Sequence, residues 1–70
     1  MVLDPKKLGQ NIKKLRQVKK ISQEMLARQA DLKLSNLAKL EGGFNLNPTL
    51  TSLLAIAKVL SDGSIDKLLK

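Results

Sequence analysis

Two short helical segments with a single break between them, spanning Ser22 to Gly43, constrain the fold of this chain more than any other feature. Ser22 is a favourable N-cap residue, and from Gln23 onward the pattern predicts a helix that ends near Ala30. Asp31 marks the break, since aspartate tolerates the left-handed backbone conformation better than most residues other than glycine. A chain with this pattern packs two short helices against one another across a tight turn.

The second helix of the pair has one apolar and one polar face. It is predicted to run from about Leu34 to Glu41 and to end at Gly42-Gly43, because glycine is the usual residue beyond a helix C-terminus. The inward residues of the pair are Leu26, Ala27, Leu32, Leu37 and Leu40. The outward residues of the second helix are Lys33, Ser35, Asn36 and Lys39, with Leu34 exposed or nearly so. For Ala30, close helix packing and simple helix propensity both account for the alanine.

A further helix precedes the pair. It begins at Asp4-Pro5, an N-cap followed by proline at the first helical position, and runs to about Lys19. Its apolar stripe consists of Leu8, Ile12 and Leu15. Gly9 lies inside this helix, either because it allows close packing or because it is merely tolerated.

Two helices follow the pair. Pro48-Thr49 opens the fourth, and Ser64 caps a fifth from Ile65 to Lys70. The apolar residues of the fourth helix, predicted to be the back wall of the core, are Leu50, Leu53, Leu54, Ala57 and Leu60, widened by Ile56 and Val59. Those of the fifth are Ile65, Leu68 and Leu69.

Helices this short are mostly unstable alone in water and must hold one another. We therefore expect an all-α fold, a compact five-helix bundle in which helices 2 and 3 form a helix-turn-helix. With 70 residues, the chain makes one domain at most, residues 1–70.

Positive charge is concentrated in the part of the chain that contains the helix pair. The formal net charge is +7, and residues 6–41 alone carry ten basic and three acidic groups, which also gives +7. Binding to a polyanion is one interpretation of this asymmetry. A solvated lysine face that only aids solubility is the other.

The composition argues against several other functions. The chain has no cysteine and no histidine, which excludes disulfides, thiolate or imidazole metal sites and histidine-based catalysis. No cofactor, metal or small-molecule ligand is indicated. Phe44 is the single aromatic residue, whereas recognition of single strands needs aromatic stacking platforms. No apolar run approaches the ~20 residues of a membrane span, and the N-terminus lacks the order of a signal peptide, so we expect a cytoplasmic protein.

The paired helices match helix-turn-helix geometry. An α-helix fits the major groove of B-DNA, where every base pair presents a distinct pattern of donors and acceptors. The second helix is short, anchored by Leu37 and Leu40, and polar outside, as a reading helix must be. The first would direct its N-terminus at a phosphate.

Residues 8–69 also resemble the phage repressor and Cro-like family of helix-turn-helix proteins, the XRE type. The matching elements are the Leu8-Ile12-Leu15-Arg16 helix, SQEMLA, Leu32 and Leu37, Leu40-Glu41 with Gly43, Pro48 with Leu50, and the SLLAIAKVL helix. The resemblance implies a lambda-repressor-like DNA-binding domain.

The resemblance also implies roles for individual residues. Base-edge or adjacent contacts fall on Lys33, Leu34, Ser35 and Lys39, with Asn36 at the boundary between base and backbone contacts. Phosphate contacts fall on Gln23 and Arg16 and on the backbone amides of Gly43, Phe44 and Asn45. An ion pair between Arg16 and Glu41 ties the first helix to the end of the third.

The chain departs from the family pattern at three positions. Asp31 replaces the usual glycine of the turn, so the turn is expected to carry mild strain. Gly42 stands where a basic or amide side chain is common, which removes one phosphate contact. Leu34 replaces a polar reading residue, either to touch a thymine methyl group or to lie at a protein interface.

The predicted function is sequence-specific binding of double-stranded DNA by a transcriptional regulator, as a homodimer on a palindromic operator. Candidate dimer contacts are Leu69, Leu68 and Ile65, although for Ile65 and Leu68 closure of the domain's own core is favoured. The alternative is a protein-interaction module of the same fold, such as a bridging factor or the antitoxin of a toxin–antitoxin pair. An enzyme is not expected.

Overall fold

A computed structural model describes residues 4–45 and 47–70. The described residues form five α-helices and no strand. The helices are α1 (Pro5–Val18), α2 (Gln23–Gln29), α3 (Leu34–Glu41), α4 (Leu50–Leu60) and α5 (Asp66–Leu69). The all-α fold and the bounds of α3 are as predicted, and α1 and α2 end one residue earlier than expected.

Side-chain caps begin the helices where the sequence indicates. Asp4 Oδ1 accepts hydrogen bonds from the backbone amides of Lys6 and Lys7 at 3.1 and 3.3 Å. Ser22 Oγ accepts from the amide of Met25 at 3.0 Å at the start of α2. Each bond satisfies amides that have no partner inside the helix.

A single core joins all five helices. Its fully buried large side chains are Leu8, Ile12, Leu26, Leu37, Ile56 and Leu68. The first helix lies centrally, packing against α3, α4 and α5, while α2 packs against α3 and α4. Among the described helices, none is long and apolar enough to cross a membrane.

Gly9 is required for the close approach of α1 to α3. A Cβ atom at this position would overlap the carbonyl oxygen of Leu40 and lie 2.6 Å from that of Glu41. Both obstacles are backbone atoms, which cannot rotate away. Gly9 is therefore present because it allows close packing, and not because it is merely tolerated in the helix. Ala30, 6% exposed, is likewise part of the core.

The buried face of α4 differs from the predicted one. Leu50 and Leu54 are 63% and 39% exposed, whereas Ile56 is completely buried. The buried residues Leu53, Ile56, Ala57 and Leu60 follow helical spacing. Because α4 is apolar on nearly every side, its sequence does not define which face turns inward, and packing against α1, α2 and α5 decides it.

The predicted cap of α5 is wrong. The helix is a single turn, Asp66–Leu69, and its N-cap residue is Ile65, without a side-chain hydrogen bond. Ser64 instead accepts through its carbonyl oxygen a 2.7 Å bond from Ser61 Oγ. The start of α4 also differs from the prediction that Pro48-Thr49 opens it. The helix begins at Leu50, and Thr49 is its N-cap residue.

Candidate nucleic-acid interface

The turn between α2 and α3 is a helix C-terminal motif that holds the two helices at a fixed angle. The amide of Leu32 bonds to the carbonyl of Ala27 at 2.8 Å, and that of Asp31 to Arg28 at 3.2 Å. This pattern is the Schellman motif, which requires a left-handed residue at its corner. Asp31 occupies that position with φ 55°, at a cost of about 1 kcal/mol relative to glycine.

The third helix presents all of its predicted reading residues to solvent. Leu37 and Leu40 are 0% and 3% exposed and fix α3 to the core. The residues on its outer side, all exposed, are Lys33, Leu34, Ser35, Asn36 and Lys39. A rigidly backed helix with a mainly polar exposed face is suited to entering a groove.

The end of α3 forms a second Schellman motif. The amide of Phe44 bonds to the carbonyl of Lys39 at 3.0 Å, and that of Gly43 to Leu40 at 3.2 Å. Gly43 has φ 79°, which favours glycine. Two of the three amides assigned to phosphate are therefore already bonded. The third, of Asn45, has no acceptor among residues 4–45 and 47–70.

A buried carboxylate joins α1, α2 and α3. Glu41, whose side chain is 3% exposed, accepts from Arg16 Nε at 2.8 Å and from Arg16 Nη2 at 3.0 Å, so the Arg16–Glu41 ion pair is present. Gln23 Nε2 donates to the same carboxylate at 3.2 Å. A bidentate pair of this kind is geometrically specific, so it positions Gln23 at the start of α2.

Arg16 is oriented inward rather than toward a ligand. Its side chain is 13% exposed, and Nη1 donates to the carbonyl of Ile21 at 2.9 Å. Three of its donor groups are thus satisfied within the protein. Arg16 therefore links α1 to the end of α3 and to the segment before α2, and only its remaining N–H groups are available to an external acceptor.

The three candidate dimer residues differ in accessibility. Leu68 is completely buried, so it cannot contact a second subunit and closes the core instead. Ile65 and Leu69 are half-buried and pack against the core. Of the three, only these two retain surface for an intermolecular contact.

Lys6 lies beside Gly43 at the end of α3, although the sequence pattern does not single it out. A Cβ atom at Gly43 would lie 3.1 Å from both Cα and Cγ of Lys6. Thirty-seven positions of chain separate these residues, and their proximity follows from the close packing of α1 on α3. No local sequence signal identifies it.

Comparison with known proteins identifies the family. A family model described as helix-turn-helix matches residues 12–68. The chain therefore belongs to the helix-turn-helix family of the XRE type.

Solved structures of similar size share this fold. The restriction-modification controller protein C.AhdI from Aeromonas hydrophila is 35% identical with a TM-score of 0.85, over 93% of this chain and 96% of that one. SinR, described as a master regulator for biofilm formation and solved in complex with DNA, is 35% identical with a TM-score of 0.83, over 90% and 98%. Among curated protein sequences, none matches significantly.

The same fold also occurs inside a larger protein. Hydroxypropylphosphonic acid epoxidase from S. wedmorenis is 27% identical with a TM-score of 0.84, and the match covers 100% of this chain but only 36% of that one. The resemblance is thus to one part of the epoxidase.

Proposed function

We propose that this protein is a transcriptional regulator that binds double-stranded DNA in a sequence-specific manner, with α3 in the major groove. The observation that carries the proposal is the geometry of α3. Its buried Leu37 and Leu40 hold it rigidly, and the opposite side exposes the polar and basic Ser35, Asn36 and Lys39 together with the apolar Leu34 and Ala38. Similarity to SinR, which has been solved in complex with DNA, supports it.

The side chains of α3 divide by task. Ser35 and Lys39, with Lys33 and Leu34 at the start of the helix, contact base edges, and Leu34 meets a thymine methyl group. Asn36 lies between base and backbone contacts. All five residues are exposed, and the four polar ones make no side-chain hydrogen bond to the described part of the chain, so their polar groups are available to DNA.

Phosphate contacts hold the helix pair in register. Gln23, at the N-terminus of α2, keeps one amide hydrogen beyond its bond to Glu41 and donates it to a phosphate. The amide of Asn45 makes the second contact at the far end of α3. Arg16 supports Gln23 through their shared carboxylate.

We further propose that the protein acts in the cytoplasm as a homodimer, with the 70 residues as one domain. One helix-turn-helix reads about half an operator, so two copies on half-sites about one helical turn apart read a palindrome. The half-buried Leu69 and Ile65 provide the subunit contact. The chemistry required is binding alone, and no catalytic step is assigned to this chain.

A second candidate function is that of a protein-interaction module of the same fold, either a bridging factor or an antitoxin. One observation favours it: Leu50 and Leu54 are exposed on α4. Leu54 also lines a shallow groove with both apolar and polar walls, formed by Ala30, Ala55 and Val59 and by Gln29, Asp31, Thr51 and Lys58. Exposed apolar groups that are rimmed by polar residues are typical of protein contacts.

Selection from a random pool of double-stranded DNA tests the first candidate against the second. We expect enrichment of a palindromic consensus with half-sites about one helical turn apart. A variant with Ser35 and Lys39 both replaced by alanine, which leaves the core intact, should enrich no consensus. Failure of the native protein to enrich any sequence would transfer support to the interaction module.

A further inference from the structure

One edge of α1 contacts the end of α3 and also carries two exposed lysines. Spacings of three and four residues place four residues on one side of this helix: Lys6, Gly9, Lys13 and Arg16. Gly9 touches the carbonyls at the end of α3, and Arg16 is paired with Glu41. Because these two residues face α3, the lysines on the same edge flank it.

Lys6 is the best located of these cations. Its Cα and Cγ atoms lie 3.1 Å from where a Cβ of Gly43 would be, directly beside the loop that follows α3. This loop contributes no cation of its own, since residues 42–57 contain no charged side chain. A phosphate that approaches the amide of Asn45 therefore depends for positive charge on neighbouring elements, and α1 supplies Lys6 beside the loop.

Lys13 extends the edge by two turns toward Arg16. It lies one turn beyond Gly9 and one turn before Arg16, both of which contact the end of α3. Lys6 and Lys13 are both exposed, and neither forms an ion pair among the described residues. Their ammonium groups are thus available to a polyanion.

We propose that Lys6 and Lys13 form a phosphate-binding track on α1 that extends the DNA interface beyond α2 and α3, along the DNA backbone adjacent to the end of the reading helix. The proposal rests on the proposed function, since the track continues from α3. Its chemistry is that of point charges, which contact phosphate without reading sequence.

The chain provides a matched control on the same helix. Lys7 and Lys14 have the same spacing and are also exposed. They lie with Asn11 on the other side of α1, where Asn11 Nδ2 donates to the carbonyl of Leu68 at 2.9 Å on α5. The two lysine pairs therefore differ in face but not in charge, spacing or helix.

The test compares Lys6→Gln/Lys13→Gln with Lys7→Gln/Lys14→Gln. The dependence of log affinity on log salt is measured for each with a selected operator and with a DNA duplex of unrelated sequence. We expect the first double variant to lower the magnitude of the salt slope by about 0.9 for each lost phosphate contact, equally for both duplexes. The second should leave the slope close to that of the native protein, and Lys6→Arg/Lys13→Arg should preserve it.

Equal slopes for the two glutamine variants would overturn the proposal, since they would mean that α1 acts only through its total charge. A lower melting temperature of Lys6→Gln/Lys13→Gln without any change in slope would also overturn it, because Lys6 would then only stabilise the negative C-terminal end of α3. Absence of DNA binding by the native protein is a different result and contradicts the proposed function itself.

Discussion

Glu41 is the residue at which three helices of this protein meet. Its carboxylate accepts three hydrogen bonds, two from Arg16 and one from Gln23. Since its side chain is almost completely buried, water cannot replace these partners. Loss of the carboxylate leaves a partly buried guanidinium without its counter-charge.

We therefore expect Glu41→Ala to destabilise the protein by about 3 kcal/mol, as is typical when one member of a buried pair is removed. For a domain of this size the melting temperature should fall by roughly 10 °C or more. The control is Glu24→Ala, which removes an exposed glutamate. Thermal unfolding of the two variants is followed by circular dichroism. Equal melting temperatures for Glu41→Ala and Glu24→Ala would contradict a stabilising role for the Arg16–Glu41 ion pair.

Gly9 is a residue whose importance lies in the space it leaves. Alanine is the better helix former by about 1 kcal/mol, but its Cβ would strike backbone carbonyls of α3. We expect Gly9→Ala to destabilise the protein by about 2 kcal/mol, the usual cost of overpacking. Denaturant unfolding measures this change.

Gly42→Ala is the matched control for Gly9→Ala. Gly42 has an ordinary helical φ of −78°, and its Cβ would meet chiefly the ring of Phe44, which is 79% exposed and free to move. Its effect should be within about 0.5 kcal/mol, as for most surface substitutions. If Gly9→Ala proved as neutral as Gly42→Ala, the two helices would not be held at the distance described.

At the scale of the element, α4 shows how an apolar helix is oriented by its neighbours. Ile56 is fully buried while Leu54, only two residues away, is 39% exposed. We expect Ile56→Ala to cost about 3 kcal/mol through lost burial and the cavity left behind. Leu54→Ala should cost less than about 1 kcal/mol, because little surface is removed from the core. Equilibrium unfolding in urea measures both free energies. A larger loss of stability for Leu54→Ala than for Ile56→Ala would contradict the described orientation of α4.

The element that reads DNA in our proposal is α3, and Lys39 is the one basic residue within this helix. We expect Lys39→Ala to weaken operator binding by about 1–3 kcal/mol and to relax preference at one base pair. Lys67→Ala, on α5, serves as the control because it removes an equal, exposed charge from a helix that packs against α1 and α4. Binding of operators that differ by one base pair distinguishes the outcomes, and uniform weakening for all of them would reassign Lys39 to phosphate.

Helix positions and capping were largely predictable from the sequence, because they depend on residues within one turn of each other. Asp4 and Ser22 cap the helices they precede, and Asp31 adopts the left-handed conformation expected of the turn. The amides of Gly43 and Phe44 illustrate the limit. Sequence similarity assigns them to phosphate, whereas the closing of the Schellman motif already uses their hydrogens.

At the scale of the whole molecule, the net charge of +7 predicts how binding responds to salt. If lysine contacts neutralise phosphates, log affinity should fall linearly with log salt, with a slope of about −0.9 for each phosphate neutralised in B-DNA. Titrations of labelled duplex at several salt concentrations measure this slope. A flat dependence would contradict the electrostatic part of the proposed function.

The sequence by itself determined the five helices, their approximate ends, the turn and the polar face of α3, because hydrophobic periodicity and capping are encoded locally. Only the tertiary structure decided that Gly9 is needed for contact with α3, that α4 turns Ile56 inward and leaves Leu50 exposed, and that Lys6 lies beside Gly43. These features depend on the distances between helices far apart in the chain. Such distances are set by the simultaneous packing of all five helices, and no single segment encodes them.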